Sequence, residues 1–355
     1  MLVDVDAVRL HPSLRSLQNK TKEQKDPETR ILKNCRLIAA AAVFACVIGG
    51  FGSPGVAQSW PTRTVTIVTP FAAGSVTDAT ARIIAQVLQE ALGRPFVVEN
   101  KTGAGGLIAA HAVARAEPDG YTLMLTTNST HSAAQALFKK VPYDPINDFT
   151  PIARIGSFPS VVVVNPALKV NSIQELVAYA KANPGKLSYG HGNSTGYIAG
   201  EAIKHEAGID IVHVSYRSNP AAVTDLIAGH IPMMIPDLNN ALPQIAEKNM
   251  RPLAVLTKSR SASLPDVPTL DETVIPGFDL MAWAGLFGPA NLPPDVVQTL
   301  AAALKAALAK PDIQEKFKSS GIEPYWGDTD EFKAYVASEL VKWTTVIKAA
   351  GIEPE

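Results

Sequence analysis

Apolar positions from Trp60 onward follow two alternating periods, one typical of buried strands and one typical of amphipathic helices. The run from Val65 to Val68 is apolar with β-branched threonines, which predicts a strand. Pro70 ends this strand, because proline has no N–H to donate to a sheet. Apolar residues then recur at helical spacing from Ile83 to Leu92, and Gly93 follows in the position of a helix C-terminal cap.

The alternation of strand and helix continues with short connections through most of the chain. Further strands are predicted at 96–99, 121–126, 152–155, 161–164, 187–189, 211–214, 231–235 and 253–256. Helices are predicted at 106–116, 131–138, 172–183, 195–207, 220–228 and 242–248, and the last part of the chain is mainly helical. This order predicts an α/β fold with parallel sheets covered by helices.

Two strand-like segments, 152–164 and 280–288, are apolar enough to be buried on both sides. They are predicted to cross between two lobes. If the chain leaves one lobe at the first segment and returns at the second, lobe 1 comprises 58–157 and 284–355 and lobe 2 comprises 158–283. Two lobes joined by two strands form a hinge with a cleft between them.

The first 57 residues differ from the rest of the chain. Arg30, Lys33 and Arg36 precede an apolar run at 37–51, and small residues follow as far as Ala57. This pattern predicts a polar extension and a secretory signal peptide over 1–57, cleaved after Ala57. The alternative is a membrane anchor, but the run of about 15 residues is shorter than the roughly 18–20 that a bilayer requires.

Composition excludes several classes of function. Hydrophobic residues make up 46% and charged residues 18% of the chain, as in globular proteins, and a net charge of −1 gives no electrostatic footprint for nucleic acid. Both cysteines, Cys35 and Cys46, lie in the predicted extension, so the cleaved chain would have no disulfide. The histidines show no spacing typical of metal ligands, and we predict neither a metal nor a cofactor.

The loop after the first strand is the first candidate site. Its residues have little side-chain bulk, and it leads into a helix whose first N–H groups are unpaired at the positive end of the helix dipole. Such a terminus can bind a phosphate or a carboxylate, although an ordinary strand–helix turn has the same sequence pattern. The candidate ligand-binding residues are Phe71, Ala72, Ala73, Gly74, Ser75, Thr77 and Asp78.

A second strand–loop–helix unit at 187–196 repeats this arrangement with small and hydroxyl residues. If each lobe presents one such loop, two anion sites face each other, which suits a ligand with two or more carboxylates. Each hydrogen bond to a charged group contributes roughly 1.5–3 kcal/mol, so a few at each end suffice for about micromolar affinity. The candidate residues of this loop are His191, Asn193, Ser194 and Thr195.

The second loop also fits a different class of protein. Gly192-Asn-Ser-Thr-Gly196 matches G-x-S-x-G between a strand and a helix, as in the nucleophile elbow of a serine hydrolase. An esterase would use Ser194 as its nucleophile and would need a later acid and then a histidine. Asp225 followed by His230 has that order but lies close to the serine in sequence, on what is predicted to be the next strand–helix unit.

Residues after two later strands complete the candidate site. Arg217, next to Tyr216, could pair bidentately with a carboxylate, whereas the alternative is a solvated arginine at the rim. Asp237 should face the cleft, because loops after parallel strands gather at one edge of a sheet. There it would accept from a hydroxyl, an ammonium or a water, or it would instead cap the next helix.

Several short motifs together resemble those of one family. They are Trp60-Pro-Thr-Arg63, Thr69-Pro-Phe-Ala-Ala-Gly-Ser-Val-Thr-Asp78, Val98-Glu-Asn-Lys-Thr-Gly-Ala-Gly-Gly106, Pro118-Asp-Gly-Tyr121 and Gly229-His-Ile-Pro-Met-Met234. Over essentially all of 58–355, the chain resembles the Bug-type substrate-binding proteins of tripartite tricarboxylate transporters. The resemblance implies a periplasmic-binding-protein type II-like fold, with two α/β lobes joined by two crossover strands and a ligand cleft between them.

The resemblance also implies which residues hold the ligand. In that family the carboxylate is held largely by backbone groups and ordered waters at the first loop. By resemblance, the further contacts come from Thr127, Asn128 and Ser129, from the loop His191–Thr195, and from the region of Tyr216 and Asp237.

This chain departs from the usual family pattern at three places. Ser75 stands where a second glycine is usual, His191 where a serine is common, and Ser218-Asn219 where a glycine is usual. Ser75 adds a hydroxyl to the predicted anion site. His191 adds a group that is expected to titrate near neutral pH. These three departures bear on which ligand the protein binds and not on its role as a receptor.

The sequence thus predicts a monomeric periplasmic receptor, not an enzyme, that binds a small organic carboxylate, most simply a di- or aromatic carboxylate. The resemblance implies delivery of this ligand to the integral membrane permease subunits of a tripartite transporter. Ligand-dependent input to a sensor kinase is compatible with that role. The serine hydrolase using Ser194 remains the alternative from another class.

Overall fold

The computed structural model describes residues 60–355. The predicted signal segment with its cleavage site at Ala57, and both cysteines, lie outside the described residues. Between Trp60 and Glu355, no helix is both long enough and apolar enough to cross a lipid bilayer.

The described residues form two sheets with helices packed against them. The strands are β1 (Val65–Thr69), β2 (Phe96–Asn100), β3 (Thr122–Thr127), β4 (Phe149–Phe158), β5 (Val161–Val164), β6 (Leu187–His191), β7 (Ile211–Ser215), β8 (Met233–Met234), β9 (Arg251–Val255), β10 (Ala282–Pro289) and β11 (Glu323–Gly327). The α-helices are α1 (Val76–Leu92), α2 (Leu107–Ala114), α3 (Ala134–Leu137), α4 (Ile173–Ala182), α5 (Ser194–Glu206), α6 (Asn219–Ile227), α7 (Leu238–Ala246), α8 (Leu270–Thr273), α9 (Pro294–Leu308), α10 (Pro311–Ser319) and α11 (Thr329–Ala349). A 3₁₀ turn at Ala104–Gly106 precedes α2, and a π-helical turn at Ser129–Ala133 precedes α3.

Local sequence explains where the key helices begin and end. The Oγ of Ser75 accepts from the N–H of Asp78 at the start of α1, at 3.2 Å. The side chain of Asn193 caps α5 in the same way. Gly93 ends α1 with φ 67, a left-handed conformation that glycine adopts without steric cost.

The first sheet has the strand order β11-β4-β10-β3-β1-β2, and the second has the order β7-β6-β8-β5-β9. Strand β1 is parallel to β2 and β3, and β6 is parallel to β7 and β8. Strand β10, however, is antiparallel to β3 and β4, and β5 is antiparallel to β8 and β9. The prediction of parallel sheets is therefore wrong for these strands. Both strands adjoin a passage between the sheets, so neither is preceded by a crossover helix of its own sheet, which parallel pairing requires.

Two neighbouring passages join the sheets. The chain leaves the first sheet at the end of β4 and enters β5 after Pro159-Ser160. It returns at the start of β10, where Ala282 pairs with Phe158. The two lobes of the expected α/β fold are built on these two sheets.

The last helix contributes to more than one hydrophobic core. Phe332 and Val336 near the start of α11 pack in a cluster with Trp283 of the first sheet. Trp343 and Ile347, further along the same helix, pack in the cluster that covers the second sheet. The lobe boundaries, 58–157 with 284–355 and 158–283, stay a prediction.

Candidate functional site

A small cavity lies between the two sheets, beside the passages that join them. Hydroxyl and amide side chains make up most of its lining, and among the described residues that line it Asp237 alone carries a charge. The lining residues are Phe71, Ser75, Val76, Thr77, Thr127, Asn128, Ser129, Phe158, Gly192, Asn193, Thr195, Ser218, Asn219, Asp237 and Ala282.

Four helices of the described chain begin at this cavity. Val76 and Thr77 open α1, Thr195 lies in the first turn of α5, Asn219 opens α6, and Asp237 directly precedes α7. The first N–H groups of a helix have no partner within the helix and lie at the positive end of its dipole. The cavity is therefore suited to an anion, although no lysine, arginine or histidine is among its lining residues.

The first loop is held in shape by Asp78 from outside the cavity. The carboxylate of Asp78 accepts from the N–H of Gly74 at 3.0 Å and from the side chains of Asn100 and Arg82. Burial works to raise the pKa of Asp78, but these hydrogen bonds and the Arg82 charge outweigh it, and the pKa lies below its ordinary value. Asn100 also donates to the carbonyl of Phe71. Asp78 thus organises the loop with its charge neutralised by Arg82.

Asp237 performs a similar task in the second lobe without a cation. Its carboxylate accepts from the hydroxyl of Ser160 at 3.1 Å, from the amide of Asn193 at 3.0 and 3.2 Å, and from the amide of Asn219 at 2.8 Å. Burial raises the pKa of Asp237 to about 6, although these hydrogen bonds act to lower it. The contacts link the first passage, at Ser160, to the loops that precede α5 and α6.

Direct hydrogen bonds close the cleft between the lobes. They run from Ser194 Oγ to Ser129 Oγ at 2.8 Å, from Asn128 Nδ2 to Thr195 Oγ1 at 3.1 Å, and from Asn240 Nδ2 to the carbonyl of Gly74 at 3.1 Å. One of these bonds is made by Ser129 in the π-helical turn and another by Asn128, which directly precedes that turn, and both meet the start of α5. The structure is therefore a closed form of the cleft.

Ser194 has none of the partners that a hydrolytic nucleophile needs. Its hydroxyl contacts Ser129 and the amide of Asn128, and no histidine of the described chain is hydrogen-bonded to it. His230 instead pairs with Asp225, which also accepts from Tyr216. The G-x-S-x-G loop lacks the adjacent base that would activate the serine.

His191 is buried, and this changes its expected chemistry. Its Nε2 lies 3.4 Å from Nδ1 of His213, with the two rings stacked at a 21° angle. Burial, followed by the influence of His213, lowers the pKa of His191 to about 4. The expectation that His191 titrates near neutral pH is wrong, because burial disfavours its charged form.

A larger groove adjoins the cavity. The two spaces share Phe71, Ser129, Gly192 and Asn193 as lining residues, so they lie side by side.

The structure separates the predicted site residues into three groups. Those that line the cavity are Phe71, Ser75, Thr77, Thr127, Asn128, Ser129, Asn193, Thr195 and Asp237. Those that line only the groove are His191, Ser194, Tyr216 and Arg217, whereas Ala72, Ala73, Gly74 and Asp78 line neither space. Which of them contact a ligand stays a prediction.

Sequence reasoning missed several lining residues. They are Phe158, Ser218, Asn219 and Ala282, while Val76 and Gly192 lie within the two predicted loops but were not singled out. A signal existed for Ser218 and Asn219, because they stand at the predicted start of a helix, where the family resemblance leads us to expect a glycine. Phe158 and Ala282 are apolar strand residues with no such signal. Among residues 60–355, no group of three or more His, Cys, Asp or Glu side chains could hold a metal ion.

The fold and the cavity define a two-lobed solute-binding protein of the periplasmic-binding-protein type II-like class. Residues 80–352 match the family described as "Tripartite tricarboxylate transporter family receptor". The chain belongs to this family, and the Bug-type resemblance seen in the sequence is confirmed.

Three similar proteins show how far the likeness extends. Protein BugT of Bordetella pertussis is 32% identical over 319 residues, which cover 89% of this chain and 98% of BugT. The structure of R. palustris Rpa4515 with adipate has a TM-score of 0.81 at 34% identity, covering 84% of this chain and all of that one. MatC from Rhodopseudomonas palustris with bound malate has a TM-score of 0.76 at 32% identity, covering 81% of this chain and all of MatC.

Proposed function

We propose that this protein is a periplasmic receptor for a small organic carboxylate, which it delivers to the integral membrane subunits of a tripartite transporter. One observation carries the proposal: four helix N-termini and a lining of hydroxyl and amide groups meet at a single cavity between two lobes. This cavity is suited to an anion held by dipoles and neutral donors.

The hydrogen-bond donors and charges near the start of α1 favour a carboxylate at that end of the cavity. The N–H groups of Val76 and Thr77 and the hydroxyls of Ser75 and Thr77 are the nearby donors, and the charge of Asp78 is neutralised by Arg82. Hydrogen bonds to a charged group contribute roughly 1.5–3 kcal/mol each, so three such bonds suffice for about micromolar binding. The similar proteins Rpa4515 and MatC, whose structures hold adipate and malate, support this class of ligand.

The role we propose includes no catalytic step. The hydroxyl of Ser194 is hydrogen-bonded to Ser129 across the cleft, which makes it part of the closed arrangement. Location in the periplasm rests on the predicted signal at 1–57 and on membership of a family of transporter receptors.

A thermal-shift experiment with a panel of carboxylates tests binding. A ligand at a hundredfold excess over its Kd adds about 2.7 kcal/mol of stability, so the Tm should rise by roughly 5 °C. The matched control is the dimethyl ester of each dicarboxylate, which has nearly the same shape without the charge. If no mono-, di- or aromatic carboxylate raises the Tm, or if the esters act equally, the proposal fails.

Delivery to a permease is tested separately from binding. Cells that lack this protein should take up the radiolabelled ligand at a much lower rate than cells in which it is restored. Normal uptake without the protein would argue against the transport role while leaving its ligand binding intact.

A further inference from the structure

We propose that the cleft ligand is a monocarboxylate with an uncharged aromatic tail, its carboxylate in the cavity at α1 and its ring in the adjoining groove. This inference rests on the proposed function and goes further by selecting one class of carboxylate. It follows from the sizes of the two spaces, the aromatic rings on the groove wall and the positions of the carboxylates around them.

The two spaces differ in size and lining. The cavity is small and lined mainly by hydroxyl and amide groups, whereas the groove is much larger. Because Ser129 and Gly192 line both, the two spaces adjoin, and the groove is the space next to the cavity into which a longer ligand would extend.

The second-lobe wall of the groove is a cluster of aromatic rings. The ring of Tyr197 lies 5.0 Å from that of His191 and 5.1 Å from that of His213, and the two histidine rings are 5.6 Å apart. Tyr216 lines the same side, and Phe138 lines the groove from the first lobe. Aromatic rings prefer neighbouring rings in stacked or edge-to-face contact, so these walls suit a flat aromatic group.

The charges around the groove argue against a second carboxylate on the ligand. Glu353 and Glu355 line it, and two backbone hydrogen bonds to the segment 137–139 hold Glu355 in place. Arg217 lines it as the single cationic counterpart among the described residues. Burial, followed by the nearby charges of Glu201 and Glu355, raises the pKa of Tyr197 on this wall.

The second lobe's end of the cavity is unfavourable to a carboxylate for the same reason. Asp237 lies there with three neutral donors and no cation in contact. The favourable place for a negative charge is the α1 end, whereas Asp237 lies at the other end of the cavity and Glu353 and Glu355 line the groove beside its aromatic rings. One charge and one uncharged ring fit this arrangement.

The test is isothermal titration calorimetry of the purified protein with 3-phenylpropionate, adipate, malate and acetate. We expect 3-phenylpropionate to bind at least about tenfold more tightly than adipate, since like charges at the groove oppose the second carboxylate. The substitution His213→Ala should weaken 3-phenylpropionate binding by about three- to tenfold and leave acetate unchanged. Val212→Ala, on the same strand but outside the groove, is the matched control and should change neither affinity.

A second variant tests the charge argument. Glu353→Gln together with Glu355→Gln should raise the affinity for adipate and leave that for 3-phenylpropionate nearly constant. The inference is overturned if adipate or malate binds as tightly as 3-phenylpropionate, or if His213→Ala has no effect on it. Binding of the dicarboxylates alone would overturn this inference and leave the proposed function standing. Absence of binding by all four acids would overturn this inference, and the proposed function would fail with it if no acid of the wider carboxylate panel raises the Tm.

Discussion

Replacing Asp237 by asparagine should change how the stability of the protein depends on pH. The substitution keeps the size of the side chain and removes a buried carboxyl group that accepts from Ser160, Asn193 and Asn219. Burial raises the pKa of this group from 3.8 to about 6. The folded protein therefore holds a proton at Asp237 at pH values at which the unfolded chain has released it.

The sign and size of the effect follow from this difference in bound protons. Between about pH 6 and pH 4 the native state binds more protons at Asp237 than the unfolded state, so the contribution of this residue to the free energy of unfolding rises as the pH falls. The complete pKa shift of Asp237 corresponds to roughly 3 kcal/mol in the free energy of unfolding. Roughly 1 kcal/mol of this contribution appears as the pH falls from 7 to 5. The free energy of unfolding of the wild type minus that of Asp237→Asn should therefore rise by roughly 1 kcal/mol when the pH is lowered from 7 to 5.

Other groups act on both proteins alike. Burial lowers the pKa of His131 to about 3, and burial with the nearby His213 lowers that of His191 to about 4. Because the unfolded chain binds protons at these histidines first, both proteins lose stability as the pH falls below about 6.5. These contributions cancel in the difference between wild type and variant.

Urea unfolding followed by far-UV circular dichroism at pH 7, 6 and 5 measures this difference. Asp78→Asn is the matched control: the pKa of Asp78 is lowered in the folded protein, so its contribution to stability is lost only below about pH 4, and the difference between wild type and this variant should stay constant from pH 7 to pH 5. If the difference between wild type and Asp237→Asn stays constant or shrinks from pH 7 to pH 5, the burial argument for Asp237 is wrong.

Three further substitutions test the cleft. Gly192→Ala places a methyl group onto the backbone of Ser218 and Asn219, so the loop that contains Gly192 must move away from these two residues. We expect titration calorimetry to show carboxylate affinity at least about tenfold weaker, with helical content unchanged. Ser194→Ala removes a neutral hydrogen bond between the lobes, worth about 1 kcal/mol, and should weaken ligand binding about fivefold without altering ester hydrolysis. His191→Gln should leave the pH dependence of affinity between pH 6 and 8 as in the wild type, because the pKa of His191 is about 4.

Each of these three predictions has an outcome that contradicts it. Unchanged affinity in Gly192→Ala would show that the loops tolerate separation. Loss of an esterase activity in Ser194→Ala would revive the hydrolase alternative. A flatter affinity profile in His191→Gln would mean that His191 titrates near neutral pH in spite of its burial.

Much of the fold was accessible from the sequence, because its signals are local. The apolar run at β1, the stop at Pro70 and the cap at Gly93 act over a few residues, and the structure reproduces the strand and helix they predict. The direction of β10 was not accessible, because pairing with β3 and β4 depends on where the chain returns from the second lobe.

The candidate site also has features that local sequence predicted and features that it did not predict. The small residues before α1 and the hydroxyl-rich loop before α5 pointed to helix N-termini, and the cavity is lined by Ser75 from the first loop and by Asn193 and Thr195 from the second. The roles of Ser160 and Asn219 could not be read from their neighbours, since each meets Asp237 only after the strands of the second sheet have assembled.

By itself, the sequence determined the alternating strands and helices, and the helix starts with their dipoles. Only the tertiary structure decided which helix starts share one cavity, that Asp78 is neutralised outside it, and that His191 is buried beside His213. The physical reason is the separation in sequence between the residues that interact. Hydrogen bonding within a helical turn is set by adjacent residues, whereas burial, pKa and cleft shape depend on segments that are distant in sequence and meet only in the closed fold.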